Sequence, residues 1–207
     1  MRGVRRAELV PIRGTRRRAL RPVAGGAVAV EGVDVCLSVD CVFCSIPFIE
    51  YYLPAAAPAV LKGHLQSKGF VVNTFDFNIS VKEKFEGNEL IMASAYFSNR
   101  SKSFDEKLLV KIDSLVNEWV DKLLAVNPRF IGISVFSNDS RKACEMLLDR
   151  LAERQHDCKV FIGGMGVDEE WLDTIRDKID YYIMGEGELA CENLLRATPS
   201  SKESMGE

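Results

Sequence analysis

The chain has 207 residues, 47% of them hydrophobic and 28% charged, the length and composition of one globular domain with tails. No stretch approaches the roughly 18 uninterrupted apolar residues of a membrane-spanning helix, so no membrane partner is expected, and the cysteines, read as reduced thiols, make the cytoplasm the default compartment. The net charge of −3 is an average over two unlike parts.

Residues 1–22 hold eight arginines, no lysine and a single acid, Glu8, whereas every lysine lies at or beyond Lys62. From Asp40 onward there are 19 basic and 27 acidic residues, a formal charge of −8, which argues against nucleic acid as a partner. The leader 1–39 reads in three ways: a transit peptide, a basic RNA-binding arm, or an extension upstream of the folded part. Its Gly, Pro and Ala residues interrupt any amphipathic pattern, so a disordered leader is the expectation. Six cysteines (Cys36, Cys41, Cys44, Cys144, Cys158 and Cys191) in a chain of this length, with no secretory signal, fit reduced thiols rather than a disulfide framework.

In chain order, DCVFCSIPFI opens an apolar, β-rich run whose first strand spans about 40–46 and is buried on both faces. Pro47 and Pro54 bracket a loop. A helix follows with Ala57, Val60, Leu61 and Leu65 at helical spacing and Gly69 at its C-terminal cap. FVVNTFDF (70–77) supplies a second strand, and 78–104 is a mixed polar insertion without an assigned structure. Over 105–126, Leu108, Leu109, Ile112, Leu115, Val116, Trp119, Val120, Leu123 and Leu124 recur every three to four residues, the strongest helical signal in the chain. RFIGISVF (129–136) is the third strand, SNDS (137–140) offers N-cap residues for a helix through Leu151, and KVFIGG (159–164) is the fourth strand. A short helix over Trp171–Ile175, a fifth strand at 180–184 and a last helix through Leu195 complete the domain. The tail 198–207 reads as a linker or truncated end.

Strands alternating with helices predict an α/β domain over 40–197: a doubly wound, parallel, five-stranded sheet of flavodoxin-like or Rossmann-like order 2-1-3-4-5. In such sheets a ligand sits outside the carboxyl ends of the strands, where strand order reverses. That selects the loops 47–54, 136–140, 163–167 and 185–188, three of them rich in small residues. Glycines there admit a ligand close to the backbone, and they serve equally well in tight turns. No phosphate loop and no G-x-G-x-x-G after the first strand is present, which disfavours two classes of nucleotide site.

LPAAAPAVLKGHLQSKGF, IGISVFSNDS, VFIGGMG and DYYIMGEGELA, in that order over about 40–196, resemble the cobalamin-binding domain of radical S-adenosylmethionine enzymes. The resemblance implies cobalamin contacts from Ser134, Phe136, Ser137 and Asn138, from Gly163, Gly164, Met165 and Gly166, and from Gly185, Glu186 and Gly187. It places Ser134–Phe136 beside the cofactor's nucleotide tail, with Gly163 and Gly164 making room for it. S-adenosylmethionine and an iron–sulfur cluster belong to a barrel domain with a C-x-x-x-C-x-x-C motif, expected on a missing or separate domain in cis or in trans.

Two departures qualify the match. The D-x-H-x-x-G motif is absent, and the histidines are His64, within a helix, and His156, so bound cobalamin would lack a histidine lower ligand. Cys36, Cys41 and Cys44 are spaced C-x4-C-x2-C, and Cys41 and Cys44 in one strand point to opposite faces, which reads as core thiols and no metal site. The expectation is a cobalamin-binding module of a radical enzyme without a catalytic site of its own. The alternative is a cofactor-free docking or substrate-recognition domain, with the rings of Phe48–Tyr52 filling the crevice.

Overall fold

The computed structural model describes residues 8–12, 39–47, 55–100 and 103–198. Its elements are β1 (Glu8–Pro11), β2 (Val39–Ser45), α1 (Ala56–Ser67), β3 (Val72–Asp76), α2 (Phe77–Lys84), α3 (Gly87–Phe97), α4 (Glu106–Ala125), β4 (Pro128–Ser134), α5 (Arg141–Glu153), β5 (Lys159–Gly163), α6 (Glu169–Ile175), β6 (Tyr181–Met184) and α7 (Gly187–Ala197).

The sheet order is β1-β6-β5-β4-β2-β3. The five strands from β2 to β6 run parallel in the order expected from the sequence. The sixth corrects that expectation: β1 pairs antiparallel with β6, in the register Glu8↔Met184 through Pro11↔Tyr181. It lies inside the arginine-rich segment expected to be disordered, and its four-residue length and Pro11 suit an edge strand. Residues 1–7 and 13–38, Cys36 included, lie outside the described residues, as does the aromatic loop Phe48–Tyr52.

Two faces follow from the crossovers. The chain leaves β2 one way to reach β3, then reverses to β4, β5 and β6, so right-handed connections put α1 on one face and the later connecting helices α2–α6 on the other. β2 serves both: Cys41 and Phe43 enter one core, Val42, Cys44 and Ile46 the other. This period-two split keeps Cys41 and Cys44 apart, as their spacing requires.

On the larger face, α4 buries Leu108, Ile112, Leu115, Val116, Trp119, Val120 and Leu123, its expected stripe, while Leu109 stays exposed and Leu124 half-buried. The unassigned insertion forms α2 and α3, which cover this face. Trp119 stacks on Phe77 at 5.0 Å and donates its indole N–H to Ser80 Oγ at 2.7 Å. The helix α5 begins after a 3₁₀ turn at Asn138–Ser140 with no side-chain cap, a correction to the N-cap expected within SNDS.

The smaller face carries only α1 and α7 of the described helices, packed side by side over Cys41, Phe43, Phe130, Phe161 and Ile183. After α1, Gly69 takes the left-handed φ of +89° expected of it, and its N–H donates to the Gln66 carbonyl at 3.1 Å.

Candidate functional site

Gly132 organises the floor of the smaller face. It lies between Phe43 on β2 and Phe161 on β5 in the parallel register. A Cβ on Gly132 would stand 2.6 Å from both rings, so its absence lets them meet edge to face, with centroids 5.8 Å apart.

Above this floor, toward the carboxyl ends of the strands, lies a cavity of about 370 Å³. It is walled by the first turns of α1 (Ala56, Ala57, Val60, Leu61) and by the start of α7 (Gly187, Glu188, Cys191). Those turns carry small residues, and the helices approach closely at the cavity wall itself: a Cβ on Gly187 would lie 3.0 Å from Leu61 Cδ2. Beyond the cavity they are tied by His64 Nε2 to Glu192 Oε2 at 2.9 Å, and Arg196 holds the same carboxylate at 3.1 Å.

Of the residues singled out from the sequence, Ser134, Gly163, Gly164, Gly185, Glu186 and Gly187 line the cavity. Phe136, Ser137, Asn138, Met165 and Gly166 do not; Phe136 and Met165 are exposed on the loops after β4 and β5. Gly164 and Gly166 turn out to serve loop against loop. Gly164 has φ +119° and a Cβ there would strike the Val135 carbonyl oxygen, while one on Gly166 would meet the Ser137 backbone. The Gly166 N–H also donates to the Val135 carbonyl at 3.0 Å. Their glycines therefore seat the β5 loop on the β4 loop, and Gly163 and Gly132 face the cavity itself.

Sequence reasoning passed over Phe43, Gly132, Ile133, Phe161 and Ile183 on the strands and Ala56, Ala57, Val60, Leu61 and Cys191 on the helices, while Glu188 closes the loop 185–188 that it had selected. The signal for the strand residues was present in alternation: Phe43, Gly132 and Phe161 occupy equivalent positions of adjacent parallel strands.

The chemistry of the lining is apolar with a few polar groups. The Ser134 hydroxyl forms no hydrogen bond among the described residues, and Glu186 and Glu188 bring carboxylates to the α7 end. Burial, with Glu188 adding to it, pushes the Cys191 thiol up to about 12, so it is a neutral core thiol. Burial likewise raises Cys41 and Cys44 well above the ordinary thiol value and Cys158 to about 12. No group of three or more His, Cys, Asp or Glu residues suited to a metal ion occurs among the described residues. The other acids near the strand ends are structural: Asp139 pairs with Arg100 at 3.1 Å, and Asp168 accepts from the Trp171 N–H at 2.9 Å and pairs with Arg141 at 2.5 Å. No described helix is long and apolar enough to cross a membrane.

An open, mostly parallel α/β sheet with a crevice at the carboxyl ends of its strands defines a ligand-binding domain of the doubly wound class. The family model of the B12 binding domain matches residues 49–195, and the chain belongs to that family. A search of curated proteins gave no match. Among solved structures, the chain is similar to the radical S-adenosylmethionine methyltransferase TsrM from Kitasatospora setae with cobalamin and a 4Fe-4S cluster bound. The identity is 16% and the TM-score 0.51, over 78% of this chain and 24% of that one. A second structure of TsrM, with tryptophan substrate and the S-adenosylmethionine analogue aza-SAM, gives 16% identity and a TM-score of 0.46, over 77% and 26%. The chain thus spans about a quarter of the length of the enzyme chains it resembles.

Proposed function

We propose that this chain is a cobalamin-binding module whose α1/α7 cavity holds the nucleotide tail of the cofactor. The observation that carries the reading is the cavity of about 370 Å³ at the strand ends of a B12-binding family member, lined by Ser134 and the Gly163–Gly164 pair. The volume lies within the rough range of 300–1,000 Å³ typical of small-molecule sites. It suits one flat, largely apolar portion of a ligand resting on the Phe43–Phe161 floor.

The residues present fit that group. Gly163 leaves the strand end bare, the Ser134 hydroxyl is free to bond a polar atom of the tail, and the small first turn of α1 admits its bulk. Phe136 and Met165, exposed beside the opening, are apolar surface for the macrocycle to cover, and Ser137, Asn138 and Gly166 support the loops that present them. No histidine lines the cavity: His64 is bound to Glu192, and His156 contacts Cys158 at 3.1 Å. A lower ligand from a histidine of the described residues is therefore not part of the reading.

Bound, the corrin would supply methyl transfer or related cobalt chemistry, used by a radical S-adenosylmethionine domain in cis or in trans that carries the iron–sulfur cluster. This chain's part is to bind, orient and exclude water from the tail; no catalytic residue is assigned to it.

The test is a titration of the full chain with hydroxocobalamin and methylcobalamin, followed by visible spectrum and co-elution on gel filtration. Ala57→Phe is the blocking control, because Ala57 is exposed on α1 and lines the cavity. Saturable binding with a base-off spectrum, lost in the variant, supports the module. No binding by the folded chain at high micromolar cofactor overturns it in favour of a cofactor-free docking domain.

A further inference from the structure

The cavity's β6 side depends on a strand from far away in the chain. Ile183, one of the lining residues, has Leu9 of β1 as its register partner, and Leu9 packs into the core beneath α1 and α7. One residue further along β6, Met184 pairs with Glu8, and the cavity-lining turn Gly185–Gly187 follows at once. The far end of β1 is fastened too: the Ile12 N–H donates to the Asp180 carbonyl at 3.1 Å, and the Ile12 side chain is buried in the opposite core.

Without β1, β6 would be the sheet edge. Its outward N–H and C=O groups would lose their partners, and a four-residue strand held on one side frays readily. The turn after it includes Gly185 at φ +86°, a glycine with wide conformational freedom. Nothing else in the described sheet lies on that side of β6.

We propose that residues 8–12 are a positioning element of the ligand site: β1 fixes Ile183 and the Gly185–Gly187 turn, and so sets the shape of the cavity. Residues 8–12 are then needed for full binding, and any event that removes or sequesters β1 lowers the affinity of the cavity for its ligand. The affinity part rests on the cobalamin reading; the pairing part stands without it.

The experiment compares the full chain with Leu9→Asp and with a chain starting at residue 13, all confirmed folded by far-ultraviolet circular dichroism. Hydrogen exchange in the absence of cofactor is read first. Faster exchange over 181–187 in both variants, with 130–134 unchanged, is expected; unchanged exchange over 181–187 overturns the proposal. Hydroxocobalamin affinity is read second, below the melting temperature of every variant. A loss of about fivefold or more in Leu9→Asp is expected, the scale of a typical coupling between a site and a distant element. Equal affinity with a lowered melting temperature would mean that β1 is only structural and would overturn it. Failure of the unaltered chain to bind overturns the cobalamin reading alone, leaving the exchange result to decide the role of β1.

Discussion

The two faces of the sheet are built to different ends. The α2–α6 face is closed by five helices around Trp119, Phe77 and Phe97, with ring centroids at 5.0 and 5.6 Å. The α1/α7 face has, among the described residues, two helices whose N-terminal turns carry alanine and glycine, and it keeps an open cavity above Gly132. One sheet thus separates the side that supplies most of the apolar burial from the side that receives a ligand. The lesson is that substitutions on the first face should act on stability, and those at the cavity on binding.

The largest effect expected is on the closed face. Trp119→Ala removes a fully buried ring and leaves Ser80 Oγ without its donor. It should cost about 3–5 kcal/mol in urea unfolding, the usual range for such truncations. A loss under about 1 kcal/mol, the scale of a surface change, would break the contrast between the faces.

Next is Gly164→Ala, where φ +119° and the Val135 carbonyl leave no place for a methyl group. A loss of about 1–3 kcal/mol is expected from backbone strain. This should appear in unfolding curves with cofactor absent, which separates loop seating from ligand contact.

Ala57→Phe sharpens the comparison from the other side. The position is exposed on a helix, so stability should move by less than about 0.5 kcal/mol while cobalamin affinity is lost. Equal losses in binding and stability would mean that the cavity cannot be altered independently of the core.

The smallest effect is a pH term near the strand ends. The Trp171 N–H, and then Arg141, hold the Asp168 carboxyl below its ordinary 3.8. A folded-state value below the unfolded one adds stability that is present above pH 3.8 and lost as pH falls through the lower folded value. Asp168→Asn should therefore lower stability slightly at neutral pH and flatten the acid limb, the two stability curves converging once pH falls below the folded value.

The central strands β2, β4 and β5 were legible because each is a continuous apolar run buried on two faces, and α4 because its stripe spans about five turns. β1 was not: Glu-Leu-Val-Pro between arginines and glycines has no pattern of its own and becomes a strand only because β6 offers an edge. α2 and α3 were obscured because α3 buries only Ala93 and Phe97, and because α2 buries the polar Asn78 and Ser80 beside Phe77 and Val81 while Ile79 is exposed. In the site, the glycine loops could be read from strand ends, while Leu61, Phe161 and Cys191 meet only through the topology. Gly164 shows the opposite limit: a glycine beside a cavity whose requirement comes from a neighbouring loop.

The most direct test of the central claim is a hydrogen-exchange footprint of the full chain with and without hydroxocobalamin. The account predicts protection at 55–61, 132–134, 163–166 and 183–188, with α4 and α5 unchanged. Protection confined to the α4/α5 face, or none at saturating cofactor, would contradict it.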